Sequence, residues 1–362
     1  MNPTYRTIGV TFLVLYSVAC RVVASAPTAV PPIQKPNIVL IMADDLGYGS
    51  LGCYGSSEVN TPNIDRLAAS GMLFTDFHSN GAVCTPTRAS LMTGRYPQRC
   101  AWVDDEELSP VFQEQREKNM PQRWAWGIAR DELTIARVLQ ESGYRTGLVG
   151  KWHLGYDFKF HPMNYGFDEF RGYVGGNVDY HTHVAEFGLK TLDWWHDKEI
   201  KDENGYATDL LTKYATDFIE RNKDRPFFLY LAHAAPHSPW QGRDPKEKKS
   251  PVATYKEMIE ILDESVGVVV ERLRHLDLLE NTLVVFCSDN GAAHPRGIAA
   301  NGRLQGRKAS MQEGGHRVPF IASLPGRIPP RSRSNATVTT MDFFPTLAEL
   351  AGSTLPPGRQ ID

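Results

Sequence analysis

At 362 residues the chain has room for one large α/β domain or two smaller ones. Its 39 Lys and Arg against 42 Asp and Glu give a formal net charge of −3, so there is no electrostatic footprint for nucleic acid and any anion site must be local. Five cysteines are too sparse for a disulfide scaffold, although Cys53 and Cys100 would make one pair.

The chain opens like a secretory signal. Arg6 supplies a weakly basic start, residues 8–19 are apolar, and Val22-Val23-Ala24 permits cleavage before Ser25. The apolar run is too short to span a bilayer comfortably, and Cys20 sits in a poor lipobox, so residues 1–24 read as a signal peptide for soluble export rather than an anchor. Residues 25–36 are Pro-rich and read as a linker. Asn37-Ile38-Val39-Leu40-Ile41-Met42-Ala43 has the length and apolarity of a strand buried on both faces, and it ends at Asp44-Asp45-Leu46-Gly47. Thr61-Pro62 opens a short helix that Gly71 closes.

Cys84-Thr85-Pro86-Thr87-Arg88 follows. Pro86 fits a first helical position and Thr85 its cap, which places Cys84 just before a helix N-terminus where backbone N–H groups favour an anion. Arg88 would reach back from one turn on. Taken alone, the run also suits half of a disulfide; a zinc site lacks neighbouring ligands, and a thiol-phosphatase loop would need five residues between Cys and Arg where this chain has three.

Further along, a helix over 133–142 stops at Gly143, and a strand over 146–149 runs into Gly150-Lys151-Trp152-His153. Residues 227–232 form another apolar strand, followed by His233 and His237. Met258, Leu262, Val266, Val269, Leu273 and Leu276 recur at helical spacing. Residues 283–287 are a further strand, ending at Ser288-Asp289-Asn290-Gly291. Strands alternating with helices predict a doubly wound, mostly parallel α/β sheet with helices on both faces. In such sheets ligands bind outside the carboxyl ends of the strands. Asp44, Asp45, Lys151, His153, His237, Asp289 and Asn290 should therefore meet in one crevice. Asp44, Asp45, Asp289 and Asn290 offer oxygen ligands only, which suits Ca²⁺ better than Mg²⁺; for either pair alone, turn chemistry is the simpler reading.

Cys84-x-Pro-x-Arg88, continued by Thr93-Gly94-Arg95, resembles the signature of the type I sulfatases, a family of alkaline phosphatase-like fold. Asp44-Asp45-Leu46-Gly47-Tyr48-Gly49, Gly150-Lys151-Trp152-His153-Leu154-Gly155, Ala235-Pro236-His237-Ser238-Pro239 and Ser288-Asp289-Asn290-Gly291 resemble further motifs of that family. So do Gly306-Arg307-Lys308 with Glu313-Gly314-Gly315-His316-Arg317-Val318-Pro319, where Arg307 replaces the usual second Gly, and Asp342-Phe343-Phe344-Pro345-Thr346-Leu347. The resemblance covers 37–352 as a catalytic domain. Residues 353–362 then look like the lead-in to a small C-terminal antiparallel subdomain that is otherwise missing.

The resemblance implies an exported sulfatase, secreted, periplasmic or lumenal, that hydrolyses sulfate monoesters of a sulfated carbohydrate or an aryl sulfate. It implies that a maturation enzyme converts Cys84 to formylglycine, whose hydrate is the nucleophile, beside one Ca²⁺ held by Asp44, Asp45, position 84, Asp289 and Asn290. Asp289 would deprotonate the attacking hydroxyl, while Arg88 and Lys151 hold the hydrate. Lys308 and His237 would bind sulfate and protonate the leaving alcohol, and His153 would take the proton that expels sulfate. A polar residue among Asn177, Asp179, His181 and His183 would complete the site. Neither nucleic acid nor stable membrane insertion is implied. Two other readings remain open: a phosphate mono- or diester hydrolase on the same fold, and a silent glycan-binding homologue with unmodified Cys84. Trp102, Trp124, Trp126, Trp194 and Trp195 lie between the motifs, where they would stack on sugars or fill the core. Asn335-Ala336-Thr337 fits a glycosylation acceptor.

Overall fold

The computed structural model describes residues 35–100, 103–104, 126–186 and 190–362. The signal and most of the linker, together with Trp102 and Trp124, lie outside the described residues. The strands, in chain order, are β1 (Asn37–Ala43), β2 (Met72–Phe74), β3 (Phe77–His78), β4 (Val103–Asp104), β5 (Trp126–Gly127), β6 (Arg145–Lys151) and β7 (Glu169–Tyr173). They continue as β8 (Trp195–His196), β9 (Glu199–Ile200), β10 (Phe227–Ala232), β11 (Thr282–Ser288), β12 (Phe320–Ser323), β13 (Ser332–Ser334) and β14 (Val338–Thr339).

Ten of them form one sheet in the order β13-β2-β12-β11-β1-β10-β6-β7-β8-β9. The central five, β11-β1-β10-β6-β7, run parallel; β12 joins β11 antiparallel, and β8 joins β7 antiparallel, so the sheet is mixed at its flanks. β1 lies between β10 and β11, so the carboxyl ends of three parallel strands stand side by side. Their register aligns Met42 with Ala232 and Ala43 with Ser288.

Side chains on a strand alternate between faces, and β1 uses both. Val39 and Ile41 enter a core shared with the helices Pro62–Ser70, Ala207–Asn222 and Pro251–His275. Ile38, Leu40 and Met42 enter a second core with the helices Cys84–Thr93, Ile135–Glu141 and Phe343–Leu350. β1, β10 and β11 are wholly buried, covered on both sides, which is why their middles are apolar at every position. This is the doubly wound α/β architecture with helices on both faces.

Local chemistry moved some boundaries. The second helix is shorter, Ile135–Glu141, because Thr134 caps it by accepting from the Arg137 N–H. β6 is longer and carries Lys151 within the strand. The helix after Gly81 starts two residues earlier than Pro86: Cys84 is its first residue, Val83 occupies the cap, and no side chain caps it. Thr85 is therefore not the cap. Pro86 still falls within the first turn, where its missing N–H has no partner to lose. Cys53 and Cys100 are free thiols rather than a disulfide. Among the described residues no helix is long and apolar enough to cross a membrane.

Candidate active site

The ends of β1, β10, β11 and β6 deliver Asp44, Asp45, His237, Asp289, Asn290 and Lys151 to one buried cluster, joined by Cys84 and Arg88 from the Cys84–Thr93 helix. Asp44, Asp45, Arg88, Lys151, Asp289 and Asn290 are each at most 1 % exposed. Charges this deep persist only if paired. Arg88 donates through Nε and Nη2 to Asp289 Oδ2 at 3.1 and 2.8 Å, and through Nη1 to the Lys151 carbonyl and the Tyr230 hydroxyl, both at 3.2 Å. Lys151 Nζ donates to Asp44 Oδ2 at 2.5 Å. Lys308, arriving on a loop, donates to Asp45 Oδ2 at 3.0 Å and to Cys84 Sγ at 3.4 Å. Three carboxylates thus face three cations, with His237 Nε2 3.5 Å from Asp45.

Cys84 sits at the middle of this arrangement. Its Sγ donates to Asp44 Oδ1 at 3.5 Å. Burial, and then the charge of Asp44, push the thiol well above its ordinary range, so as a plain thiol it stays protonated and is a weak nucleophile. Burial would raise Asp44 too, but Lys151, His237, Arg88 and Lys308 overcome it and hold that carboxyl ionised. Burial and the neighbouring Asp44 push Asp289 upward, against Arg88 and Lys151. His153 is held well below its usual range by burial and by Lys151 and Arg88, so it is a neutral acceptor; its Nδ1 is buried without a partner.

Two site residues have positive φ, Asp45 at 65° and His153 at 54°, a conformation that costs energy outside glycine and that concentrates at functional positions. Gly176 faces His153: a Cβ there would lie 2.9 Å from Nε2, so a larger residue would make the ring shift.

The donor atoms of Asp44, Asp45, Cys84 and His237 lie within 4.8 Å of one another. Asn290 adds an amide: its Nδ2 donates to Asp45 Oδ1 at 2.6 Å and its Oδ1 is buried without a partner. An orphaned buried amide oxygen on the residue that meets Asp45, next to the Asp44, Asp45, Cys84 and His237 donor atoms, makes this a place that could hold a metal ion. Asp289 lies at its margin. Its Oδ2 is taken by Arg88, and its Oδ1 accepts from the Asp45 N–H at 3.2 Å.

Of the polar residues in 172–183, Asn177 faces this region. It donates to the Ser238 carbonyl at 2.9 Å, next to His237, and its Oδ1 is buried without a partner. His183 stacks on Trp194 with ring centroids 4.1 Å apart, His181 meets the Gly242 carbonyl, and Asp179 accepts from the N–H groups of His181 and Thr182. Trp194 is fully buried, so it is core rather than a sugar platform; Trp195 is half-buried and donates to Asp193. Sequence reasoning missed Tyr230, whose hydroxyl meets Arg88, because it lies inside an apolar strand. It also missed Ser288, whose hydroxyl accepts from the Leu46 N–H and ties the ends of β1 and β11 together.

Comparison with known proteins identifies the family. A family model described as Sulfatase matches residues 36–353. The chain is 37 % identical to the N-acetylgalactosamine-6-sulfatase of Canis lupus familiaris over 376 residues, covering 100 % of this chain and 70 % of that protein. The Homo sapiens protein of the same name is 36 % identical, with 91 % of this chain and 64 % of that protein covered. The chain thus spans about two thirds of the length of these curated relatives. Among solved structures, Ps i-CgsB in complex with k-i-k-neocarrahexaose superposes with a TM-score of 0.78 at 36 % identity, covering 91 % of this chain and 74 % of that one. PsFucS1 sulfatase from Pseudoalteromonas sp. gives 0.70 at 26 %, with 91 % and 70 % covered. These neighbours share the alkaline phosphatase-like fold. With the match running through every strand end that carries the charged cluster, the chain belongs to the sulfatase family, whose named members are sulfuric ester hydrolases.

Proposed function

We propose that this protein is an exported sulfatase that removes sulfate monoesters from a sulfated carbohydrate, using formylglycine at position 84 and one divalent cation of the Ca²⁺ class. The observation that carries the reading is the setting of Cys84, a buried thiol 3.5 Å from Asp44 and 3.4 Å from Lys308, with Arg88 and Lys151 behind it. Held protonated, that thiol is a weak nucleophile, whereas the position is surrounded by everything an attacking hydroxyl needs.

The cation would be held by Asp44, Asp45 and Asn290, with Asp289 and position 84 at its edge, and would supply charge neutralisation for sulfate oxygens and acidify a hydroxyl. The formyl group at 84 would supply, once hydrated, a nucleophilic hydroxyl and a second one whose proton can be removed. The residues present do the rest. Lys308, partly exposed and in contact with both Asp45 and Cys84, has an ammonium that would pair with a sulfate oxygen. His237 is fixed by its Nδ1, 2.5 Å from the Ser238 carbonyl, which leaves Nε2 aimed at the reacting centre to hand a proton to the leaving alcohol. Arg88 and Lys151 fix the ionised carboxylates. Asp289 would accept a proton at Oδ1. Neutral His153 can take one at a ring nitrogen, and Asn177 would hold a substrate oxygen. A carbohydrate substrate is supported by the sugars named with the relatives, N-acetylgalactosamine-6-sulfatase and the carrageenan-derived oligosaccharide among them. Formylglycine requires a maturation enzyme, and the apolar start of the chain would route the protein to the export pathway.

Mass spectrometry of the peptide containing residue 84, from protein made in a host with the maturation enzyme, tests this. The aldehyde mass, with faster turnover of an aryl sulfate than of the matching aryl phosphate, is the expected result. An unmodified Cys84 in active protein, or a preference for the phosphate, would overturn the reading.

A further inference from the structure

Away from the cluster at the strand ends, β3 and the short helix Glu313–His316 bring two imidazoles together. His78 Nδ1 and His316 Nδ1 are 3.0 Å apart. The opposite ring nitrogens are both committed. His78 Nε2 lies 3.2 Å from Asp76 Oδ1, and His316 Nε2 lies 3.3 Å from the Met311 carbonyl. A carboxylate and a carbonyl only accept, so both Nε2 atoms must carry hydrogen. In the neutral rings both Nδ1 atoms are then acceptors, with two lone pairs pointed at each other. Something positive has to lie between them.

Glu313 completes the set. One of its carboxylate oxygens lies within 4.8 Å of a ring nitrogen of each histidine. Arg317 braces the carboxylates without blocking the rings: Nη1 is 3.0 Å from Glu313 Oε2 and Nη2 is 3.3 Å from Asp76 Oδ1. The site is open to solvent, with the His78 side chain 19 % and the Glu313 side chain 46 % exposed.

We propose that His78, His316 and Glu313 form a second metal site that takes a borderline transition-metal ion of the Zn²⁺ class. Two imidazoles and a carboxylate are a usual zinc donor set, with Zn–N bonds of ~2.0–2.1 Å that place tetrahedral ligand nitrogens ~3.3 Å apart, close to the separation found here. Ligating histidines donate their other N–H to a carboxylate or a backbone carbonyl, which fixes ring and tautomer. Asp76 and Met311 supply one of each. The ion would clip β3 to the loop that carries Lys308 and the Glu313–His316 helix, so it acts on stability rather than on sulfate chemistry.

The test uses the full chain in excess Ca²⁺, added to fill the strand-end site of the proposed function, and titrated with Zn²⁺ alone. Wild type should bind zinc, and His78→Gln and His316→Gln should each weaken that binding at least tenfold, with a smaller loss in Glu313→Gln. Zinc should also raise the melting temperature of wild type but not of His316→Gln, since an ion that binds only the folded state stabilises it. Zinc-edge anomalous scattering from wild-type crystals needs no variant and should place the ion between the two Nδ1 atoms. Zinc binding that is equal in wild type and both histidine variants, or an anomalous peak only at Asp44, Asp45 and Cys84, overturns the proposal. So does a wild type that binds no zinc while the two rings titrate as one unit, which would make a shared proton the positive charge between them.

Discussion

β1 and β11 are buried from end to end, but their middles and their ends follow opposite chemistry. Leu40 and Val285, register partners in the middle, both lie in one apolar core. One and two steps past the last register pair, Asp44, Asp45, Asp289 and Asn290 are equally buried and wholly polar. The body of the sheet gains stability from every residue it removes from water, at roughly 25 cal/mol per Å² of apolar surface. The ends gain no such thing. A buried ion pair recovers its desolvation cost only when the geometry is good, and replacing it with apolar residues is often neutral or better. A cluster of three carboxylates and three cations is therefore expensive to keep, and stability does not explain it. Separating the two roles experimentally is the way to test that contrast.

The largest effect should be purely chemical. Cys84→Ala removes the position at which the nucleophile would form and should cut turnover at least about a thousand-fold. The first turn of the helix loses little, so the melting temperature should stay near that of wild type. Normal steady-state activity in this variant would break the assignment of position 84. Next comes Asp289→Leu. It strips Arg88 of its two charge-assisted hydrogen bonds and should cost about 3–5 kcal/mol by denaturant unfolding, as well as activity. Adding Arg88→Met should restore much of the stability and none of the activity. If the double variant stayed as unstable as the single one, the ends would be structural after all. Leu40→Ala, four residues before Asp44, is the counterpart in the body. It should cost about 2–5 kcal/mol of stability with kcat unchanged under native conditions.

How much of this could be read from the chain follows from the same contrast. The apolar middles are continuous runs with one solution, a strand covered on both faces, so β1, β10 and β11 were legible almost to the residue. The polar ends were legible as chemistry because Asp44-Asp45 and Asp289-Asn290 follow those runs directly. Their partnerships were not, because Lys151 pairs with Asp44 across 107 residues. Of the two histidines that follow β10, the apolar run itself favours neither, and only the Ala235-Pro236-His237-Ser238-Pro239 resemblance singled out His237. His237 reaches Asp45, whereas His233 turns to the other core and meets Ser265 at 3.0 Å. The cap at Thr85 failed because a backbone turn at Val83 starts the helix with no side chain at all. Tyr230 was hidden because alternation along a buried strand does not reveal which aromatic hydroxyl meets a charge.

His233 offers the last and smallest test, because it shows what the body does to a charge when no partner is supplied. Burial pushes its pKa down to about 3, and burial with Lys198 pushes His161 down to about 4. Both shifts lie below the ordinary value of 6.5, so the folded state binds these protons less readily than the unfolded chain does. Their contribution is complete above pH 6.5 and is lost as pH falls, for His161 until about 4 and for His233 until about 3. Over the shared window each histidine should contribute a slope of about 1.4 kcal/mol per pH unit. Urea unfolding at a series of pH values from 7 to 5 measures it. His233→Gln, which keeps a hydrogen-bonding side chain but cannot be protonated, should remove one histidine's share of the slope. A slope unchanged by that substitution would mean that the core tolerates an imidazolium there. The body of the sheet would then accommodate charge much as the strand ends do, and the contrast between them would have to be redrawn.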